Sequence, residues 1–227
     1  MNNTNNMNNT QITNIPQSSP SKKKKILLMG DDMRMHSGVS TESLALVLGT
    51  VHKYDWIQIS GAIQHPDAGK IVDLSEATNK LLGRNDCTVR LFPTHGYGDE
   101  NLVFAVMNME KPDAIVHFTD PRFWGFLYQI EKQIRAKIPL TYINVWDDLN
   151  YPMYNRPYYE SCDLLMSISK QTYNINKWVL GPENCMTLDG MFDKKGNFLS
   201  FEVKQEELVS DPIVDKEEVK KYYDLMA

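Results

Sequence analysis

Two places in the chain deliver acid directly after an apolar run. In Ala114-Ile115-Val116-His117-Phe118-Thr119-Asp120-Pro121, a strand-like stretch ends in a hydroxyl and a carboxylate. A carboxylate so placed can orient a hydroxyl or accept its proton. It can equally cap the next helix, with Pro121 at the first helical position. His117, inside the run, reads as a hydrogen-bonded core residue in preference to a catalyst. The second place is Asn144-Val145-Trp146-Asp147-Asp148. Its paired carboxylates lack a third oxygen ligand at suitable spacing, so hydrogen bonding to a polar acceptor, or a capped turn, is favoured over a divalent metal.

The segment Gly30-Asp31-Asp32-Met33-Arg34-Met35-His36-Ser37-Gly38-Val39-Ser40-Thr41 follows the first apolar run. Ser37 and Gly38 would let backbone amides approach an anion at the positive end of the next helix, which Ser40 or Thr41 can cap. The dinucleotide fingerprint GxGxxG and the phosphate loop GxxxxGK[ST] are both absent. Gly69-Lys70 has the tail of the latter, but Gln64 stands where its first glycine belongs. The aromatic run from Tyr151 to Tyr159 can stack on sugar rings or bury a sheet edge. Ser169 is a good helix cap.

These residues need a scaffold, and the hydrophobic pattern supplies one. Short apolar runs at 26–29, 56–60, 88–92, 114–118, 141–145 and 164–168 alternate with segments of helical period at 41–54, 74–82, 100–110, 122–136, around 158–162, and 171–180. This is the signature of βαβ units. It predicts an α/β fold: a doubly wound, Rossmann-like parallel sheet of about six to seven strands. Ligands of such sheets sit at the carboxyl ends of the strands, where the loops above begin. Beyond Gly181-Pro182 the pattern weakens, with strand candidates at 185–188 and 198–203 and a charged helix at 215–226.

Composition bounds the rest. The chain has 227 residues, 42% of them hydrophobic, and a net charge of -5, so a basic face for nucleic acid is not indicated. Cys87, Cys162 and Cys185 show neither zinc spacing nor disulfide density, which fits a cytoplasmic location. No transmembrane segment or signal peptide is read. Lys22–Lys25 offers at most a short peripheral contact. Residues 1–21 are Asn, Thr, Ser and Pro with little to bury. With the lysines they form an expected disordered leader, 1–24.

Taken in order, the segments resemble the N-terminal domain of GT-B glycosyltransferases of the family-4 kind, the glycosyl transferases group 1 type. The likeness spans residues 25–190. It rests on the first strand, on Ser37-Gly38-Val39-Ser40-Thr41 in the place of the glycine loop, on 112–121, and on Cys162-Asp163 with Ile168-Ser169-Lys170. The resemblance implies transfer of a sugar from a nucleotide-sugar to an unknown acceptor. Ser37, Gly38 and Val39 would face the donor diphosphate, Asp120 would be catalytic, and His117, Thr119, Asp147, Asp148 and Tyr151 would contact the acceptor. It implies no metal and no cofactor beyond the donor substrate.

Residues 191–227 read as an extension or the start of a linker. No donor half precedes Ala227, so one is expected in cis or on a separate chain. Thr119 stands where relatives carry a second histidine, which motivates an alternative: a noncatalytic binding module derived from such an enzyme. A response-regulator reading, from Gly30-Asp31-Asp32, fails because the third strand ends Phe92-Pro93-Thr94 instead of in an aspartate.

Overall fold

A computed structural model describes residues 22–148 and 151–181. The expected strands and helix beyond Gly181, and the leader to residue 21, lie outside the described residues. Seven strands form one sheet: β1 (Lys24–Asp31), β2 (Tyr54–Gly61), β3 (Val72–Asp73), β4 (Val89–Pro93), β5 (Ala114–Phe118), β6 (Leu140–Asn144) and β7 (Leu164–Ser167). Their order is β3-β4-β2-β1-β5-β6-β7, and all neighbours are parallel except the pair β3 and β4. Without β3, the six parallel strands follow the order 3-2-1-4-5-6 of the doubly wound dinucleotide-type sheet. The expected fold class is therefore the observed one: a Rossmann-like, mostly parallel α/β sheet flanked by helices.

Both faces are covered, which is why the strands read as nearly continuous apolar runs. Alternation sends Leu27, Met29, Ile57 and Ile59 to one face. There they meet Val103 and Val106 of α3 (Glu100–Glu110), and Leu127, Tyr128 and Ile134 of α4 (Gly125–Gln129) and α5 (Glu131–Arg135). Leu28, Trp56, Val89 and Leu91 face the other way, onto Leu44, Val47 and Leu48 of α1 (Gly38–Thr50), with α2 (Ser75–Leu82) beside it. A third cluster packs Tyr142 and Leu165 against α6 (Arg156–Glu160) and α7 (Lys170–Leu180).

Two expectations are corrected. Ser37, not Ser40 or Thr41, caps α1: its backbone is extended, and its Oγ accepts from the Ser40 amide at 3.1 Å. The helix therefore begins at Gly38. The single helix expected over 122–136 is a 3-10 turn at Pro121–Trp124 followed by α4 and α5. Trp124 and Ile130 depart from helical dihedrals, with φ/ψ of -110/28 and -100/10, and both side chains reach the core.

The basic run is absorbed at the amino end of the sheet. Lys23 pairs with Asp86, Lys24 with Asp113, and Lys25 with the buried Glu110 at 2.9 Å. No helix of the described residues is long and apolar enough to cross a membrane.

Candidate functional site

The chain runs outward from β1 through β2 to β4, then returns to lay β5 on β1's other side. That reversal opens a crevice between the loops leaving β1 and β5, the usual ligand position in such sheets. At its base, Gly30 pairs with Phe118. A Cβ on Gly30 would fall 2.4 Å from the Phe118 carbonyl oxygen, so this close strand approach requires glycine.

Asp31 is the next residue and is half-buried. Thr119 Oγ1, from the end of β5, donates to its Oδ1 at 3.3 Å. Burial pushes the Asp31 carboxyl above its ordinary pKa, and the Thr119 hydrogen bond offsets part of that rise. No other hydrogen bond from the described residues reaches this carboxylate.

The backbone of the same loop is held from below by the buried Gln58, which donates to the Asp31 carbonyl at 2.8 Å and accepts from the Met33 amide at 3.1 Å. Asp32 is fully buried and accepts from Arg34 Nε at 3.0 Å and Nη2 at 2.7 Å. An aspartate next to Asp31 is thus neutralised inside the loop, while Asp31 faces the crevice.

Asp120 caps the turn that follows β5, accepting from the Arg122 amide at 2.9 Å. Arg122 Nε also reaches both carboxylate oxygens, at 2.9 and 3.0 Å. Burial would raise this carboxyl's pKa, but the Arg122 hydrogen bonds and charge outweigh it and hold Asp120 below its ordinary value. Asp120 can therefore keep accepting a hydroxyl's hydrogen bond across a wide pH range, and it is a weak proton acceptor. The Arg122 guanidinium lies 5.6 Å from the ring centres of both Trp146 and Tyr154, which ties the loop after β5 to the loop after β6.

The loop after β4 brings Tyr97, between Gly96 and Gly98. Its ring stacks on Phe123 at 5.1 Å with planes 6° apart, and meets Trp124 edge-on at 5.5 Å. Burial raises the Tyr97 phenol pKa first, and the charges of Asp31 and Asp120 raise it further. The phenol and both carboxylates therefore share one neighbourhood. Gly61 ends β2 beneath this ring. A Cβ there would lie 2.8 Å from the Gly96 carbonyl oxygen and 3.1 Å from the Tyr97 ring. The next residue, Ala62, takes φ of 85°, a region unfavourable to a residue with a side chain. Its amide donates to Gly96 across the two loops.

Apart from His117, the residues singled out in the sequence fall into three groups. Thr119 and Asp120 lie in the crevice, joined by Asp31 and Tyr97, which the sequence reading did not select. Ser37, Gly38 and Val39 begin α1, after the loop that leaves β1. The first-turn amides of Gly38 and Val39 have no partner within the helix, and a Cβ on Gly38 would meet nothing within 4 Å. Asp147 and Asp148 are exposed beyond β6, where the Asp147 carbonyl accepts from Gln171 at 2.7 Å. Tyr151 stacks on Trp178 of α7 at 5.7 Å.

His117 is in the core and not at the edge. It is fully buried, its Nδ1 lies 2.7 Å from the Tyr128 hydroxyl, and its ring stacks on Tyr142 at 5.0 Å. Contact with an acceptor is closed to it in this packing, because strand alternation turns its side chain under the sheet. Burial pushes its pKa down to about 3, so the ring is neutral.

Comparison with protein-family models, curated proteins and solved structures finds no match. The class established for the chain is therefore that of its architecture. It is a seven-stranded, mostly parallel, Rossmann-like α/β protein, with Asp31, Thr119 and Asp120 on the loops where the strand order reverses.

Proposed function

We propose that this chain is the acceptor-side half of a GT-B-type glycosyltransferase, working on a nucleotide-sugar whose main binding surface lies on a donor domain. The observation that carries the reading is the juxtaposition of Asp31, Thr119, Asp120 and Tyr97 at the strand reversal. These groups suit a ligand presenting hydroxyls, and the first-turn amides of α1 suit an anionic diphosphate at the same edge. In this reading Asp120, fixed by Arg122, orients the acceptor hydroxyl. Thr119 and the exposed Asp147 and Asp148 line the approach.

The test is sugar transfer by the product of the complete reading frame, assayed with radiolabelled nucleotide-sugars. Transfer that Asp120→Ala abolishes, without change in the circular dichroism spectrum, supports the reading. Tight saturable nucleotide-sugar binding by residues 22–181 alone would contradict the division between halves. The alternative, a noncatalytic binding module, draws on one observation: Arg122 already engages both oxygens of Asp120, which suits holding a ligand better than moving a proton. Ligand binding without transfer by the complete product would favour it.

A further inference from the structure

We infer that Asp31, Tyr97 and Phe123 form a subsite for the ring of an uncharged carbohydrate. The inference deepens the proposed function by naming the class of its acceptor, and it rests on that reading only for the acceptor's place in the crevice.

Phe123 sits in the turn that Asp120 caps, with its amide donating to the Asp120 carbonyl at 3.3 Å. It is 55% exposed, although it is a large apolar side chain within a 3-10 turn. One face is covered by Tyr97, and the pair lie nearly parallel. What remains is a single flat aromatic face, and Asp31 pairs in the sheet with Gly61, whose Cβ position lies 3.1 Å from the covering Tyr97 ring; a flat face with a carboxylate nearby suits the C–H face of a pyranose with its hydroxyls directed sideways. A cationic amine would call for aromatic rings on several sides of it, and here the rings cover each other.

Charge points the same way. The basic groups closest to the crevice are internally matched, Arg34 to Asp32 and Arg122 to Asp120, so an anionic ring would face Asp31 without compensation. Among the described residues the Asp31 carboxylate has only the Thr119 hydroxyl as a hydrogen-bond partner, and a ligand hydroxyl would give it a charge-assisted one.

The floor of the corner carries an independent sign of a polar guest. Trp124 is fully buried, and its indole nitrogen has no hydrogen-bond partner among the described residues. The indole Cζ2 lies 3.2 Å from the position a Gly61 Cβ would take, and the ring meets Tyr97 at 5.5 Å between centres. Buried indole N–H groups ordinarily find an acceptor. A small shift of Tyr97 on ligand binding would give this one a hydroxyl or a bridging water.

The experiment is saturation-transfer NMR on the full chain, using a panel of neutral mono- and oligosaccharides, with putrescine and methyl phosphate as charged controls. The expected result is saturation of ring C–H protons of at least one neutral sugar, lost with Phe123→Ala and weakened roughly tenfold with Asp31→Asn. Phe123 is exposed, so its variant should keep the fold, which one-dimensional methyl spectra will check. Absence of transfer to every neutral sugar overturns the inference. So does binding of putrescine or methyl phosphate alone, or sugar binding that Phe123→Ala leaves unchanged. Sugar binding without catalysis by the complete product would leave the subsite standing and refute the transferase reading. Catalysis onto a non-carbohydrate acceptor would do the reverse.

Discussion

His117 offers a quantitative test of how the core treats a titratable group. Its imidazole is fully buried, and its pKa falls from the ordinary 6.5 to about 3. Between those values the unfolded chain binds more protons than the folded one, so stability rises with pH there. The contribution is complete above the unfolded value and is lost as the pH falls toward the folded one. At about 1.36 kcal/mol per pKa unit, the whole shift amounts to about 5 kcal/mol, and about 2 kcal/mol of it disappears between pH 7 and pH 5. Urea unfolding followed by tryptophan fluorescence at the two pH values measures this loss. His117→Phe removes the titration and the hydrogen bond to the Tyr128 hydroxyl at both pH values, so that penalty cancels in the comparison. The variant should lose about 2 kcal/mol less than the parent over the interval. If His117→Phe does not fold, His117→Asn serves, because it keeps a polar atom near Tyr128 and also does not titrate. Equal losses in parent and variant would show that the ring is not held neutral by burial.

Two further outcomes follow from the packing. Gly30→Ala places a methyl 2.4 Å from the Phe118 carbonyl oxygen. Such overpacking costs about 1–3 kcal/mol, which should lower the melting temperature by roughly 2–12 °C in calorimetry; an unchanged value would mean that β1 and β5 separate freely at the crevice. Cys162 has its thiol pKa pushed up to about 12, chiefly by burial. It should therefore resist iodoacetamide at pH 8 in the folded chain and react once urea unfolds it, as read by peptide mass spectrometry of that residue.

Much of the scaffold was legible in the sequence because period and punctuation agreed. α3 and β5 fall at 100–110 and 114–118, as their apolar spacing indicates, with Asp99 capping the one and Pro112 separating the two. β3 escaped notice because two residues carry no periodicity. The 122–136 segment has an apolar pattern that passes unbroken through Trp124 and Ile130, so only dihedral angles reveal the breaks. Ser37 was passed over as a cap because Ser40 and Thr41 lie within the same turn and have equally suitable side chains. In the crevice, Thr119 and Asp120 could be found from the strand end alone. Asp31 could not, since its partnership with Thr119 depends on β5 returning to β1's far side, which is a property of strand order. Tyr97 did leave one trace, a lone aromatic between two glycines after the third parallel strand. His117 shows the opposite problem: a polar residue in a strand invites a functional reading until the face it points to is known.

The outermost strands bear on how this chain can associate with others. Exposed strand edges recruit strands from neighbouring molecules, and natural sheets resist this by keeping their edge strands very short. Among the described residues one border is β3, two residues long and reversed in direction, and the other is β7, with four residues. Neither of these two strands is long enough to template a continuous intermolecular sheet, which leaves side-chain surfaces such as the exposed Trp178 as the broader contact these residues offer.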